Sequence, residues 1–484
     1  MLTRSPAETL TAQLAHRFAE RIRNRLLPPG SRLPSVRECA RRHGVSPYTV
    51  VAAYDQLLAQ GLIEARRNRG FFVRESRAEM AEPAAPAPAR PAPRPGADGR
   101  TQPPVDAATL IRGMFRQVHG LDGVTKAVPG MGVLPPGWLE APFMSTAVRR
   151  VSGATNLFSL SLQYGEPAGE LVLRRALSHK LAALEIEAAP EQIVTTVGAT
   201  HALDIICRTL LRPGDAVMVD EPGWAVEFAR LTLMGMRILP VPRREHGPDL
   251  DVMARYCEAY EPAQRPKLFI SVSVLHNPTG QCLSPSSAHR VLQLAQQYGF
   301  LIVEDDTYSH LAQQHAVRMC ALDGLRRTIY VSGFAKILAP NWRVGYLAAA
   351  PDLVERFIDT KLLGTLTTPS LFEQALAHCL EQGQIRRHAE RVRARLGAAR
   401  ARTVQLALQA GCRFVTEPAG LFGWVDTGVD TDRLAQVMMD DGYLLAPGSL
   451  FHAVRRPSSL MRINFATTQD AGFWRDFERA RRQL

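Results

Sequence analysis

Ser332-Gly333-Phe334-Ala335-Lys336-Ile337-Leu338-Ala339-Pro340-Asn341-Trp342-Arg343-Val344-Gly345-Tyr346 is the segment from which the rest of this sequence becomes readable. It follows Thr328-Ile329-Tyr330-Val331, an apolar, β-branched run of strand length, so Lys336 falls just beyond the end of a strand. The chain has five lysines, at 126, 180, 267, 336 and 361, so chemistry on an amine has few candidates. Lys336 is the one placed behind a strand, with Arg343 seven residues later. A lone lysine is usually a surface charge. A desolvated amine with a guanidinium close by suits an aldehyde cofactor that also carries a phosphate.

Around this segment lie further short apolar runs: Gln192-Ile193-Val194-Thr195-Thr196, Asp215-Ala216-Val217-Met218-Val219, Leu268-Phe269-Ile270-Ser271-Val272 and Leu301-Ile302-Val303. Helical stretches separate them, which predicts a mostly parallel sheet covered on both faces. Ligands of such sheets bind beyond the C-terminal strand ends, and the polar motifs fall there. Val197-Gly198-Ala199-Thr200 is a glycine turn opening a helix, able to cradle an anion with backbone N–H groups. His276-Asn277-Pro278-Thr279-Gly280 reads equally well as a plain turn. Glu304-Asp305-Asp306-Thr307-Tyr308 admits a metal site, although no further ligands cluster in the sequence.

Ahead of this region the chain is different. Residues 1 to 77 hold 14 Arg, no Lys and 6 acidic residues, so 14 − 6 = +8 of the chain's net +12 lies in its first sixth. Such a basic module suits a phosphate backbone, and a solvated basic face is the bland alternative. Helical spacing of Leu10, Leu14, Phe18, Ile22 and Leu26 predicts a helix over 9–27, stopped by Pro28-Pro29-Gly30. Ser35 with Glu38 predicts a second helix, ending near Gly44. Ser46 followed by Pro47 predicts a third, running to about Gln60 with Gly61 as its C-cap. Leu62-Ile63-Glu64-Ala65 and Phe71-Phe72-Val73 read as strands around a basic turn. Eight prolines between Glu82 and Pro104 then make an extended, semi-rigid spacer.

The remaining composition mainly excludes. With 46% hydrophobic residues and no apolar run near the ~18 residues of a membrane span, a soluble, cytoplasmic chain is expected. Seven scattered cysteines without a C-x-x-C pair suggest reduced thiols rather than disulfides or zinc.

Arg32-Leu33-Pro34-Ser35-Val36-Arg37-Glu38, Gly44-Val45-Ser46, Thr49-Val50, Ala53-Tyr54, Leu57 and Gly61-Leu62 resemble the GntR winged helix-turn-helix. The resemblance implies that the third helix enters the major groove of a double-stranded DNA operator. Ser46, Tyr48 and Thr49 would read bases there, Arg37 would contact base or backbone, and Arg67 and Arg69 would hold phosphate or minor groove from the wing. Members commonly carry Arg where this chain has Pro47.

From about residue 120 onward the chain resembles the fold-type I pyridoxal-phosphate enzymes, the aspartate aminotransferase superfamily. That likeness implies pyridoxal 5'-phosphate bound as a Schiff base on Lys336, with Asp305 at the pyridine nitrogen and Asn277 and Tyr308 at the phenolic oxygen. Trp224 would stack on the ring, unless it is an ordinary core tryptophan. Arg343, Ser332, Ala199 and Thr200 would hold the phosphate, and Tyr164 would reach the phosphate of a partner subunit in a homodimer. Arg462 would grip the α-carboxylate of a substrate or effector. The hydroxyls that often precede the lysine are replaced by Gly333 and Ala335.

Both resemblances in this order match the MocR subfamily of GntR regulators. The expected division is 1–77 winged helix, 78–104 linker and 105–484 aminotransferase-like effector and dimerisation domain, α/β with a smaller α+β subdomain. The implied function is a DNA-binding regulator that senses pyridoxal phosphate or an amino compound through aldimine formation on Lys336. The alternatives are an active aminotransferase with an accessory DNA-binding domain, and a regulator whose large domain only dimerises.

Overall fold

Helix ends in the N-terminal part fall where side chains can satisfy them. A computed structural model of the chain describes residues 9–23, 27, 29–66, 69–74, 129–313 and 315–484. Helix α1 (Leu10–Arg23) buries Leu14, Phe18 and Ile22, one stripe at a spacing of four. Helix α2 (Val36–His43) opens where Ser35 Oγ accepts from Glu38 N at 3.3 Å, and it ends at Gly44 with φ 64°. In α3 (Pro47–Ala59), Ser46 Oγ accepts from Thr49 N at 3.1 Å. Pro47 fills the first position, where no N–H is needed.

The C-cap of α3 is Gln60 rather than Gly61. Gly61, at φ 67°, sits one residue beyond it, where the chain reverses and Leu62 N bonds Leu57 O. Strands β1 (Ile63–Arg66) and β2 (Gly70–Val73) then pair antiparallel, Ile63 opposite Val73. Buried Tyr54 ties the helices to the preceding loop by donating to Pro34 O at 2.9 Å. The expected linker and Arg67 lie outside the described residues.

The chain divides into two compact units, Met1–Thr125 and Lys126–Leu484. The second is built on an eight-stranded sheet of β3 (Ile193–Thr196), β4 (Ala216–Glu221), β5 (Arg237–Arg244), β6 (Gly247–Pro248), β7 (Leu268–Ser271), β8 (Leu301–Asp305), β9 (Thr328–Gly333) and β10 (Gly345–Ala348), ordered β3-β10-β9-β8-β7-β4-β5-β6. Strands β9, β8, β7, β4 and β5 are parallel neighbours, whereas β10 runs antiparallel to both β9 and β3. Six strands, β3 included, therefore point the same way.

Alternation along the strands fills both faces. Val217, Val219, Leu268 and Ile270 pack into one hydrophobic cluster, while Ala216, Met218 and Phe269 pack into another on the opposite side. Full burial of each of these side chains larger than Ala contributes about 1.5–3 kcal/mol, so the sheet is fixed by both its faces. A smaller antiparallel sheet follows, of β11 (Arg413–Phe414), β12 (Phe422–Asp426), β13 (Ala446–Pro447) and β14 (Leu460–Asn464), ordered β11-β12-β14-β13. All seven cysteines are free thiols. Among the described residues no helix is long and apolar enough to cross a membrane, and no cluster of side chains could hold a metal ion.

Candidate functional site

Strand direction brings the site together. The C-terminal ends of β3, β4, β7, β8 and β9 lead directly to Gly198, Trp224, Asn277, Asp305 and Lys336. Because β10 is reversed, its lead-in residue Arg343 arrives at the same edge. A small cleft opens there, lined by Asp220, Trp224, Glu227, His276, Asn277 and Asp305 among others.

Gly198 (φ 82°) turns the chain from β3 into the helix Ala199–Leu210, whose first N–H groups have no partner within the helix. The guanidinium of Arg343 lies against this turn: Nη2 donates to Val197 O at 2.7 Å, and a Cβ on Gly198 would stand 2.7 Å from it. Gly345 must also lack a side chain, since its Cβ would meet the Gly198 carbonyl carbon at 2.4 Å. Ala199 and Thr200 are thus presented beside a cation. Ser332 is fully buried and donates its hydroxyl proton to Asp306 O at 3.2 Å, so that proton is committed within the fold.

Asp305 closes β8, its carboxylate held by the backbone N–H of Thr307 at 3.0 Å and by the Thr307 hydroxyl. Burial pushes its pKa up to about 6 against the lowering effect of those bonds, and the neighbouring carboxylates of Glu227 and Asp306 add to the rise. Trp224, half-buried, borders the same cavity. Buried Tyr308 stands beside Asn277, which hydrogen-bonds its hydroxyl, and burial raises the phenol's pKa.

Lys336 Nζ lies 5.8 Å from the centre of the Tyr308 ring. Burial first, then the charges of Arg462 and Arg343, bring its pKa down to about 8, with Asp305 opposing. Arg462, on β14, is buried over the rings of Phe422 (4.4 Å) and Phe451 (5.0 Å) and donates from Nη1 to Asn277 Oδ1 at 2.7 Å. Burial lowers its pKa to about 10.

A backbone segment crosses these cations. Gly130 O accepts from Arg462 Nη2 at 2.6 Å, Gly132 O accepts from Lys336 Nζ at 2.7 Å, and Asn464 Nδ2 donates to Met131 O and Val133 O at 2.7 Å each. Sequence reasoning missed this segment. It also missed Asn464 as a participant, although period-2 alternation from Arg462 on the same strand places both on one face. It missed the buried pair of Asp220 and Arg243 (2.9 Å) beneath the cavity as well; their strands are neighbours only once the sheet forms, and no local signal marks them.

The residues present fit pyridoxal phosphate. Their donor set offers an amine, a carboxylate near its protonation midpoint, an anion cradle with a guanidinium, and an aromatic wall. Asp220 Oδ1 and Arg462 Nε are buried without hydrogen-bond partners, so the site has polar capacity to spare. Tyr164 is 81% exposed and, in this single chain, lies free on the surface.

In the N-terminal unit Arg37, Ser46, Tyr48 and Arg69 are exposed and Thr49 is half-buried. Ser46 and Thr49 are also bonded to each other, Oγ to Oγ1 at 2.8 Å.

Residues 142–473 match the family described as Aminotransferase class I and II, and residues 10–73 match Bacterial regulatory proteins, gntR family. The chain is 28% identical over 463 residues to the HTH-type transcriptional regulator YdcR of Escherichia coli, covering 94% of each chain. It is 27% identical over 494 residues to the HTH-type transcriptional regulator TauR of Rhodobacter capsulatus, covering 97% of this chain and 96% of that one. An archaeal alanine:glyoxylate aminotransferase shares the fold of the larger unit, with a TM-score of 0.71 at 22% identity over 77% of this chain and 95% of the other. The chain belongs to the aminotransferase class I and II family, which depends on pyridoxal phosphate, and carries that domain behind a GntR helix-turn-helix in the manner of the MocR transcriptional regulators.

Proposed function

We propose that this transcriptional regulator senses pyridoxal phosphate, or an amino compound that reacts with it, through a covalent bond between the cofactor aldehyde and the Lys336 amine. The observation that carries this reading is the setting of Lys336, which stands just beyond β9 with its amine 5.8 Å from the centre of the Tyr308 ring and among the charges of Asp305, Arg462 and Arg343. When bound, the cofactor supplies an aldehyde for amine capture and an electron-withdrawing ring. The chain does the rest. Arg343 and the amides of Ala199 and Thr200 orient the phosphate, Asp305 holds or yields a proton at the pyridine nitrogen, and Asn277 and Tyr308 meet the phenolic oxygen. Arg462 receives an effector carboxylate.

The division into winged helix (1–77), linker (78–104) and effector domain (105–484) is part of the same reading, as is a homodimer in which Tyr164 completes the partner's site. Effector binding must stabilise one arrangement of the DNA-reading modules over another for the signal to pass.

A yellow protein whose visible band is absent in a Lys336→Ala variant is the expected result, together with DNA binding that changes when the cofactor or an amine is added. Persistence of the band in that variant overturns the assignment. The alternative, a working aminotransferase, draws support from the buried Arg462 and its unpartnered Nε. It requires multiple-turnover transfer from common amino acids to a 2-oxo acid, with DNA binding indifferent to cofactor.

A further inference from the structure

We infer that α3 reads its operator through the 5-methyl groups of thymine, using Tyr48 and Val51, rather than through hydrogen bonds to purine edges. The inference rests on the DNA-binding reading above and names the base chemistry it would recognise.

Helix α3 lacks the usual readers of purine edges in its first two turns. The first two turns, Pro47-Tyr48-Thr49-Val50-Val51-Ala52-Ala53-Tyr54, contain no Arg, Lys, Asn or Gln. Those are the side chains that make bidentate pairs with guanine O6 and N7 or adenine N6 and N7. The two small hydroxyls at the helix start are partly occupied. Ser46 Oγ accepts from Thr49 N, and the two hydroxyls bond each other at 2.8 Å, so one of their two protons is already used.

What the helix offers instead is apolar and uncovered. Tyr48 is 81% exposed and Val51 is 40% exposed, three residues apart and so neighbours on one helix face. Val50, Ala53 and Tyr54, by contrast, are buried in the core of the unit and hold the helix in place. An aromatic ring and a branched aliphatic side chain left in water on a basic module match the apolar feature of the major groove, which is the thymine methyl. Charge complementarity selects DNA as the occupant. Arg37 and Arg41 are exposed on α2, Arg69 is exposed beside the wing, and α3 itself carries one charge, Asp55, in its third turn.

The test uses the full-length protein and a duplex enriched by it from a random-sequence pool. That duplex is resynthesised with deoxyuridine replacing thymine one position at a time, which removes the methyl and leaves every hydrogen-bonding group. We expect a loss of about four-fold in affinity at one or two positions of each half-site, the value of one buried methyl, and no change elsewhere. In Val51→Ala the uracil effect at one of those positions disappears, while Tyr48→Phe retains its own. Uniform indifference to uracil, with tight binding of the parent duplex, overturns the proposal and leaves DNA binding intact. If Tyr48→Phe binds as poorly as Tyr48→Ala, the hydroxyl is the reader and the methyl assignment for Tyr48 is wrong. Failure to enrich any duplex removes the DNA-reading assignment itself.

Discussion

The reactivity of Lys336 can be worked from its surroundings. Capture of an aldehyde requires the neutral amine. Lowering the pKa from 10.5 to about 8 raises the neutral fraction at pH 7 from about one in three thousand to about one in ten. That is a gain of roughly 300-fold in reactive amine at neutral pH. The charges responsible make opposed predictions. Arg462 and Arg343 disfavour the ammonium, whereas Asp305 favours it, and Tyr308 faces it as a neutral ring because burial raises its own pKa. In cofactor-free protein mixed with pyridoxal phosphate, the rate at which the visible band forms should climb with pH and level off above about 8. Removing a neighbouring cation with Arg462→Met should move the midpoint up, and Asp305→Asn should move it down. Thermal melts of each variant establish that the fold is retained. A rate that keeps climbing beyond pH 10, or two variants that move the midpoint in the same direction, refutes this account of the amine.

Gly345→Ala puts a Cβ 2.4 Å from a backbone carbon of the phosphate turn, where nothing flexible can yield. It should cost about 1–3 kcal/mol of stability and weaken cofactor affinity about ten-fold or more, read from melting of the cofactor-free protein and from titration with pyridoxal phosphate. Arg37→Ala and Arg69→Ala should each flatten the dependence of log affinity on log salt by about 0.9 if each neutralises one phosphate, measured by fluorescence anisotropy across a salt series. An unchanged slope removes that residue from the phosphate contacts.

Much of this molecule is legible locally. The caps Ser35 and Ser46 fix helix starts by bonds to the third residue onward, an interaction wholly contained in the sequence around it. Strands β4, β7, β8 and β9 carry enough consecutive apolar residues to be found without tertiary context. Lys336 could be picked out because it sits just past such a strand, and Arg343 because it follows seven residues later, whereas the roles of Asp305 and Asn277 came from the family resemblance. Strand β10 and its direction were not legible. Gly345-Tyr346-Leu347-Ala348 is short, and its pairing with β3 reaches across about 150 residues of sequence. The Gly130–Val133 segment escaped for a different reason: it acts through carbonyl groups, which every residue has. Burial also changes what a residue can do. Ser332 has a phosphate-ready hydroxyl in the sequence, yet in the fold its proton goes to Asp306 O.

The carbonyls of Gly130 and Gly132 make ligand entry in part an exchange. Arg462 and Lys336 are not idle cations awaiting an anion; each already has a main-chain oxygen at hydrogen-bonding distance. A carboxylate that takes the place of Gly130 O exchanges a neutral acceptor for a charged one, favourable by the difference between the two bonds, whereas a bond to the unpartnered Nε of Arg462 is gained whole. An affinity measured at this site is therefore in part a preference, scored against the chain's own backbone. Where a ligand takes the place of these carbonyls, a neutral acceptor gains little and a charged one gains more.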